Sequence, residues 1–233
     1  MLFKSTAQQN PTLLPLDPTK LQFGQICFSA TRNSNRRIRS LFQKDTVSVP
    51  YVVTYWNTFI DNLNWKKIWN LPARYMINNK VKEVSFKIIH RFYPTWIFLQ
   101  RFKKDIEMNC SFCEGHPEDM FHLFWSCPSS TKLWEDICNL ICTCIEPCLT
   151  LCFEHILFGF TDYPSTKKKQ FYIINLIIFL AKWHFHKCRY TSQKPLLSIF
   201  DNEVKQYIKT VRYSTNMKAI KTSDLGALFN VFV

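Results

Sequence analysis

The chain has 233 residues, ten cysteines and a formal net charge of +13. A hydrophobic content of 47% with only four glycines excludes wholesale disorder and argues against a sheet-rich fold with many tight turns. The cation excess points to a polyanionic partner, nucleic acid or an acidic membrane face.

No charged stretch followed by an apolar core and a cleavage site opens the sequence; Met1 leads into Lys4 and then polar residues. The expected location is therefore intracellular, nuclear or cytoplasmic, and not secreted, with thiols kept reduced. No run reaches the eighteen or so clean apolar residues of a membrane helix. The best stretch, Phe171–Ala181, is short and holds Asn175. No glycine-rich phosphate loop is present.

Residues 1–49 read as a basic, loosely ordered leader, punctuated by Pro11, Pro15 and Pro18 and carrying Arg36, Arg37 and Arg39. From Tyr51 the pattern turns helical, with Trp56, Phe59, Ile60 and Leu63 at three- and four-residue steps. Trp65 and Trp69 then share a helical face, and Leu71-Pro72 is expected to stop that helix. Asn79 reads as the N-cap of a helix over about 80–92, with Val81, Val84, Ser85, Ile88 and Phe92 inside. Lys80, Lys87 and Arg91 fall within an arc of about 40° beside that stripe and form a basic ridge. An ordinary solvated face would look the same.

Pro94 ends that helix. A short helix from Trp96 to Phe102 follows, then Lys103-Lys104. After the cysteine-rich segment, Pro128-Ser-Ser-Thr131 offers helix-starting hydroxyls, and Trp134, Ile137, Cys138, Ile141 and Ile145 form a stripe. Residues 165–190 read as a long helix. Pro195 then opens a last amphipathic helix through Leu196, Phe200, Val204, Ile208 and Val211. The expected fold is mostly α: a helical domain with an inserted zinc-binding loop and a C-terminal helical pair. Its expected parts are 1–49, 50–160 and 161–233.

The chemistry converges at Cys110-Ser-Phe-Cys113, His122 and Cys127. Three thiolates and one imidazole complete a tetrahedral Zn²⁺ set. Gly115 is expected to reverse the chain after the first pair. His122 and Cys127 would lie about 140° apart on a continuing α-helix. Pro128 disfavours the helical region for Cys127, so that residue can swing back to the ion. Four protein ligands leave no open position, which favours a structural zinc over a catalytic one. His116, in an exposed-looking turn, is left out of the set. Cys138, Cys142, Cys144, Cys148 and Cys152 read as reduced core thiols, and His184, His186 and Cys188 do not share one helical face.

The stretch from Trp65 to Trp134 resembles the reverse-transcriptase zinc-binding module of LINE-type non-LTR retrotransposons. The features that carry this are Trp65-Lys-Lys-Ile-Trp69, the helix Val81–Arg91, Cys110-Ser-Phe-Cys113, the Glu118…His122-Leu-Phe-Trp-Ser-Cys127-Pro128 block and Trp134. The resemblance implies zinc ligands at Cys110, Cys113, His122 and Cys127. It also implies a role in binding RNA or target DNA, and a chain that is a fragment of a longer polyprotein. The polymerase activity does not carry over, because no adjacent Asp-Asp pair is present to hold Mg²⁺. The expectation is thus a non-enzymatic module with Lys80, Lys87, Arg91, Lys103 and Lys104 on phosphate. Its rivals are an architectural module that packs on a polymerase domain absent from this chain, a non-functional remnant, and an enzyme (a dithiol oxidoreductase or a nuclease).

Overall fold

In the computed structural model of the chain, the described residues are 22–23, 26–27, 36, 39–40, 48–75 and 78–213. They fall into two units, Met1–Pro50 and Tyr51–Val233. In the first, Gln22–Phe23 (β1) pairs antiparallel with Ile26–Cys27 (β2), a hairpin that the sequence pattern did not announce. Arg36 and Arg39 are exposed, and Arg37 lies outside the described residues.

The named elements among the described residues of the second unit are all helical: α1 (Tyr51–Trp56), α2 (Trp65–Tyr75), α3 (Asn79–Ile89), α4 (Trp96–Gln100), a π-helical turn (His122–Ser126), α5 (Pro128–Cys144), α6 (Phe153–Phe158), a 3-10 turn (Ser165–Lys167), α7 (Lys168–Tyr190) and α8 (Leu197–Tyr213). The mostly-α expectation holds. The boundary expected after residue 160 lies inside this unit. α7 is its central helix, packed against α3, α2 and α8. Its side chains from Ile173 to Lys182 are all buried, so the apolar stretch at 171–181 is covered by the chain's own core. Among the described residues, no helix is long and apolar enough to cross a membrane.

Several helix ends differ from expectation. α2 runs through Pro72 to Tyr75 instead of stopping there. The ring removes one N–H donor, but Ile68 and Leu71 are both buried and hold the last turn against the core. α3 is capped by Asn78, whose side chain accepts from the Lys80 amide at 2.8 Å, one residue before the expected cap. It ends at Ile89, so Phe92 leaves the inner stripe and is 42% exposed. Val81, Val84, Ser85 and Ile88 are buried as read. In α8, Phe200, Val204 and Ile208 face the core, whereas Leu196 precedes the helix and is exposed.

Buried polar groups tie the helices together. The Trp56 indole donates to the Ile89 carbonyl at 2.9 Å, fastening α1 to the end of α3. Gly159 closes α6 at φ 75° and ψ 174°, a region glycine alone adopts freely. A Cβ there would stand 2.7 Å from Asn175 Oδ1. That closeness lets Asn175, on α7, accept from the Phe160 amide at 2.7 Å and donate to the Phe160 carbonyl at 3.0 Å.

Lys182 is fully buried on α7, with its ammonium 4.3 Å from the centre of the Phe179 ring. It donates to the Leu157 carbonyl at 3.1 Å, one of the last carbonyls of α6, which have no partner within that short helix. Burial pulls its pKa down to about 7. An unfolded lysine titrates near 10.4. Between those values the unfolded chain binds the extra proton, so this group makes stability rise with pH across the window. Urea denaturation from pH 7 to pH 10 is expected to show Lys182→Met with a flatter profile than wild type, by up to about 1.4 kcal/mol per pH unit. Parallel profiles would contradict this.

Candidate metal centre

The knuckle is a short hairpin. Cys110 N–H donates to the His116 carbonyl at 2.8 Å, Glu118 N–H to the Met108 carbonyl at 2.6 Å, and Asn109 bridges Pro117. At its tip Glu114 N–H returns to the Cys110 carbonyl at 2.9 Å. The left-handed residue there is Glu114, at φ 57°, and not Gly115 as expected. A Cβ on Gly115 would meet only the Cys113 carbonyl at an ordinary 3.6 Å. The Phe112 amide turns back onto Cys110 Sγ at 3.4 Å. Its ring is 2% exposed and lies against Phe185 of α7, which seals the knuckle on the core.

The other two donors come from the segment before α5. Asp119 accepts from the His122 amide at 2.6 Å and starts the turn. From His122 the backbone becomes π-helical, and the Cys127 amide donates to the His122 carbonyl at 2.9 Å. This i to i+5 bond sets His122 and Cys127 one above the other, which a plain α-helix cannot do. Cys127 is extended at φ −63°, ψ 132°, as the following proline requires. Proline therefore does half of what the sequence reading asked of it, and the π turn does the rest.

Ser130 and Thr131 do not cap α5. Their hydroxyls donate to the Leu123 and Trp125 carbonyls, at 2.6 and 2.8 Å, and the Trp134 indole donates to Phe124 at 2.7 Å. These bonds satisfy carbonyls around the π turn and fix its shape.

The outcome is one cluster in which the donor atoms of Cys110, Cys113, His122 and Cys127 all lie within 4.8 Å of one another. Cys110 Sγ is 3.8 Å from Cys127 Sγ, and Cys113 Sγ is 3.3 Å from His122 Nε2. A tetrahedron with Zn–S of 2.3 Å and Zn–N near 2.0 Å has edges of about 3.8 Å (S to S) and about 3.5 Å (S to N). The four donors fit that ion. Cys110 and Cys127 are buried, His122 is 9% exposed, and Cys113 is half-buried. The Cys110 thiol donates to Cys127 at 3.8 Å and lowers the pKa of that sulfur. The same bond pushes Cys110 upward. His116 is exposed, with its ring 5.3 Å from that of His122, and stands outside the cluster.

The later thiols do not form a second cluster among the described residues. Cys138 and Cys142 each donate to the Leu149 carbonyl at 3.4 Å, and Cys152 pairs with His155 at 3.1 Å. His184 bonds Glu203 at 2.9 Å, and His186 bonds the Tyr93 hydroxyl at 2.9 Å.

One residue that the sequence reading did not single out for a role organises the surroundings. Glu118 is fully buried. Its carboxylate accepts from the Trp96 amide at 3.1 Å, from the Ser111 amide at 3.2 Å and from the Ser111 hydroxyl at 2.7 Å. It also accepts from Arg189 Nε at 2.7 Å, in an ion pair whose side chains are 2% and 0% exposed. The knuckle, α4 and the end of α7 thus meet on one carboxylate.

Of the three cations expected on one ridge, Lys80 and Lys87 share α3 and Arg91 does not. Lys80 is exposed in the first turn of α3. Lys87 is half-buried and paired with Glu83 at 2.6 Å. Arg91 lies beyond the end of α3, with its guanidinium 3.3 Å from the centre of the Tyr55 ring. Lys103 and Lys104 are exposed after α4.

A helical unit with a buried three-thiol, one-imidazole cluster belongs to the class of zinc-organised domains. Residues 47–134 match the family model described as zinc-binding in reverse transcriptase. All four donors fall within the matched segment. The cofactor is accordingly a structural zinc. Neither the curated proteins nor the solved structures contain a match to the chain.

Proposed function

We propose that this chain is a zinc-stabilised nucleic-acid-binding module related to a reverse transcriptase. In it, Cys110, Cys113, His122 and Cys127 hold the ion, and Lys80, Lys87, Arg91, Lys103 and Lys104 meet phosphate. The zinc holds α4 and α5 in register and does no chemistry, because all four positions around it are taken by protein. The observation that carries the reading is the family match over 47–134 in a chain of net charge +13. RNA and target DNA both fit this chemistry. A rival reading is packing on a polymerase domain through 165–213; burial of the α7 side chains from Ile173 to Lys182 within the unit favours the nucleic-acid reading over it.

Binding to labelled single-stranded RNA and DNA, followed by fluorescence anisotropy with zinc present, tests this. Five phosphate contacts predict a slope of log affinity on log salt near −3.5, or about a hundredfold loss from 50 to 200 mM. Absence of binding at low salt would overturn it.

A further inference from the structure

A cleft of about 620 Å³ opens beside the zinc turn, between α1, the residues after α3, α4 and the start of α6. That volume is within the range of ligand sites. Its walls are rich in aromatic rings, among them Tyr55, Phe59, Phe98 and Phe121. Phe59 is 68% exposed and Phe121 47% exposed, so their rings stand open to an occupant.

Two cations border the same cleft, Arg91 and Arg101. Neither forms an ion pair among the described residues. Arg101 is exposed, with its guanidinium 5.5 Å from the centre of the Phe98 ring. Of the two acids on the wall, Asp119 is committed to the His122 amide. Burial raises the pKa of the Glu154 carboxyl, the other acid on the wall.

Arg91 occupies a position that helices usually give to glycine. Its amide returns to the Ile88 carbonyl at 3.1 Å and the Phe92 amide to the Lys87 carbonyl at 3.0 Å, the five-to-two and six-to-one bonds of a Schellman end. The residue between must be left-handed, and Arg91 is, at φ 61°. Its side chain leaves the helix end there and spreads on the Tyr55 ring at the cleft wall.

We propose that this cleft receives an unpaired base of a single-stranded nucleic acid, stacked on the exposed aromatic rings, with Arg91 and Arg101 meeting the flanking phosphates. Every base has a flat face, so stacking of this kind is tolerant of sequence and excludes paired strands. This rests on the nucleic-acid reading above and gives it a strand preference and a place.

The test uses the full zinc-loaded chain and three probes: a mixed-sequence single strand, its duplex, and a single strand of abasic units with the same backbone. Wild type is expected to bind the base-bearing strand about tenfold tighter than either of the others. Phe59→Ala and Arg91→Gly should each remove most of that preference. Arg91→Gly suits the left-handed backbone, so helical circular dichroism and zinc content should be kept. Equal affinity for the three probes overturns the cleft while leaving phosphate binding intact. A base preference that survives both variants also overturns it, by placing the base elsewhere. No binding to any probe overturns this proposal together with the reading beneath it.

Discussion

Cys127→Ser is expected to release the metal and lower the melting temperature of the chain by about 10–20 °C. Cys127 stands at the junction of everything local. Its sulfur is one of the four donors, its amide closes the π turn onto His122, and its carbonyl accepts from Thr131 at 2.8 Å to begin α5. Structural zinc binds apo peptides with about 10–16 kcal/mol, which is comparable with the whole stability of a domain. The expected loss is smaller than that, because Phe112, Phe124 and Leu123 also belong to the hydrophobic core and add packing of their own. A chelator should reproduce the effect on the wild type. Cys144→Ser removes an exposed thiol outside the cluster and should leave both zinc content and melting unchanged. Equal melting temperatures for Cys127→Ser and Cys144→Ser would contradict the account.

The second large effect lies one layer out. Glu118→Ala is expected to destabilise the unit by about 3–5 kcal/mol, through the buried Arg189 charge it strands and the Trp96 and Ser111 amides it leaves without an acceptor. Arg189 cannot escape to water at 5% exposure; it is enclosed by the rings of Trp96, Tyr93 and Tyr190. The double variant Glu118→Gln with Arg189→Met should cost less than the sum of its single changes, because no unpaired charge then remains. Chemical denaturation measures both. A cost below about 1 kcal/mol for Glu118→Ala would place the pair with ordinary surface bridges.

The zinc set was legible because it is local. C-x2-C with His and Cys within fourteen residues is a spacing that only metal chemistry explains economically. The surface was not. A periodicity argument carried α3 on to residue 92, and only the Schellman bonds show that it ends at Ile89 with Arg91 where glycine would have announced the stop. Arg91 left the ridge of Lys80 and Lys87 for that reason, and Glu83, one turn from Lys87, pairs with it on the surface. Pro72 misled in the opposite direction: a single missing donor is a weaker force than two buried side chains. The Glu118–Arg189 pair spans 71 residues, and no local pattern distinguishes one acid among seventeen. The π turn was hidden as well, since its carbonyls are satisfied by Ser130, Thr131 and Trp134 hydrogen bonds that propensity does not encode.

What all of this depends on is a single ion held by three sulfurs and one ring nitrogen. Zinc K-edge X-ray absorption of the purified chain, with elemental analysis of the same sample, reads that directly. One zinc per chain with three sulfur neighbours at about 2.3 Å and one nitrogen at about 2.0 Å is the expected result. A shell of six light atoms, or zinc at a small fraction of the protein concentration, would contradict it.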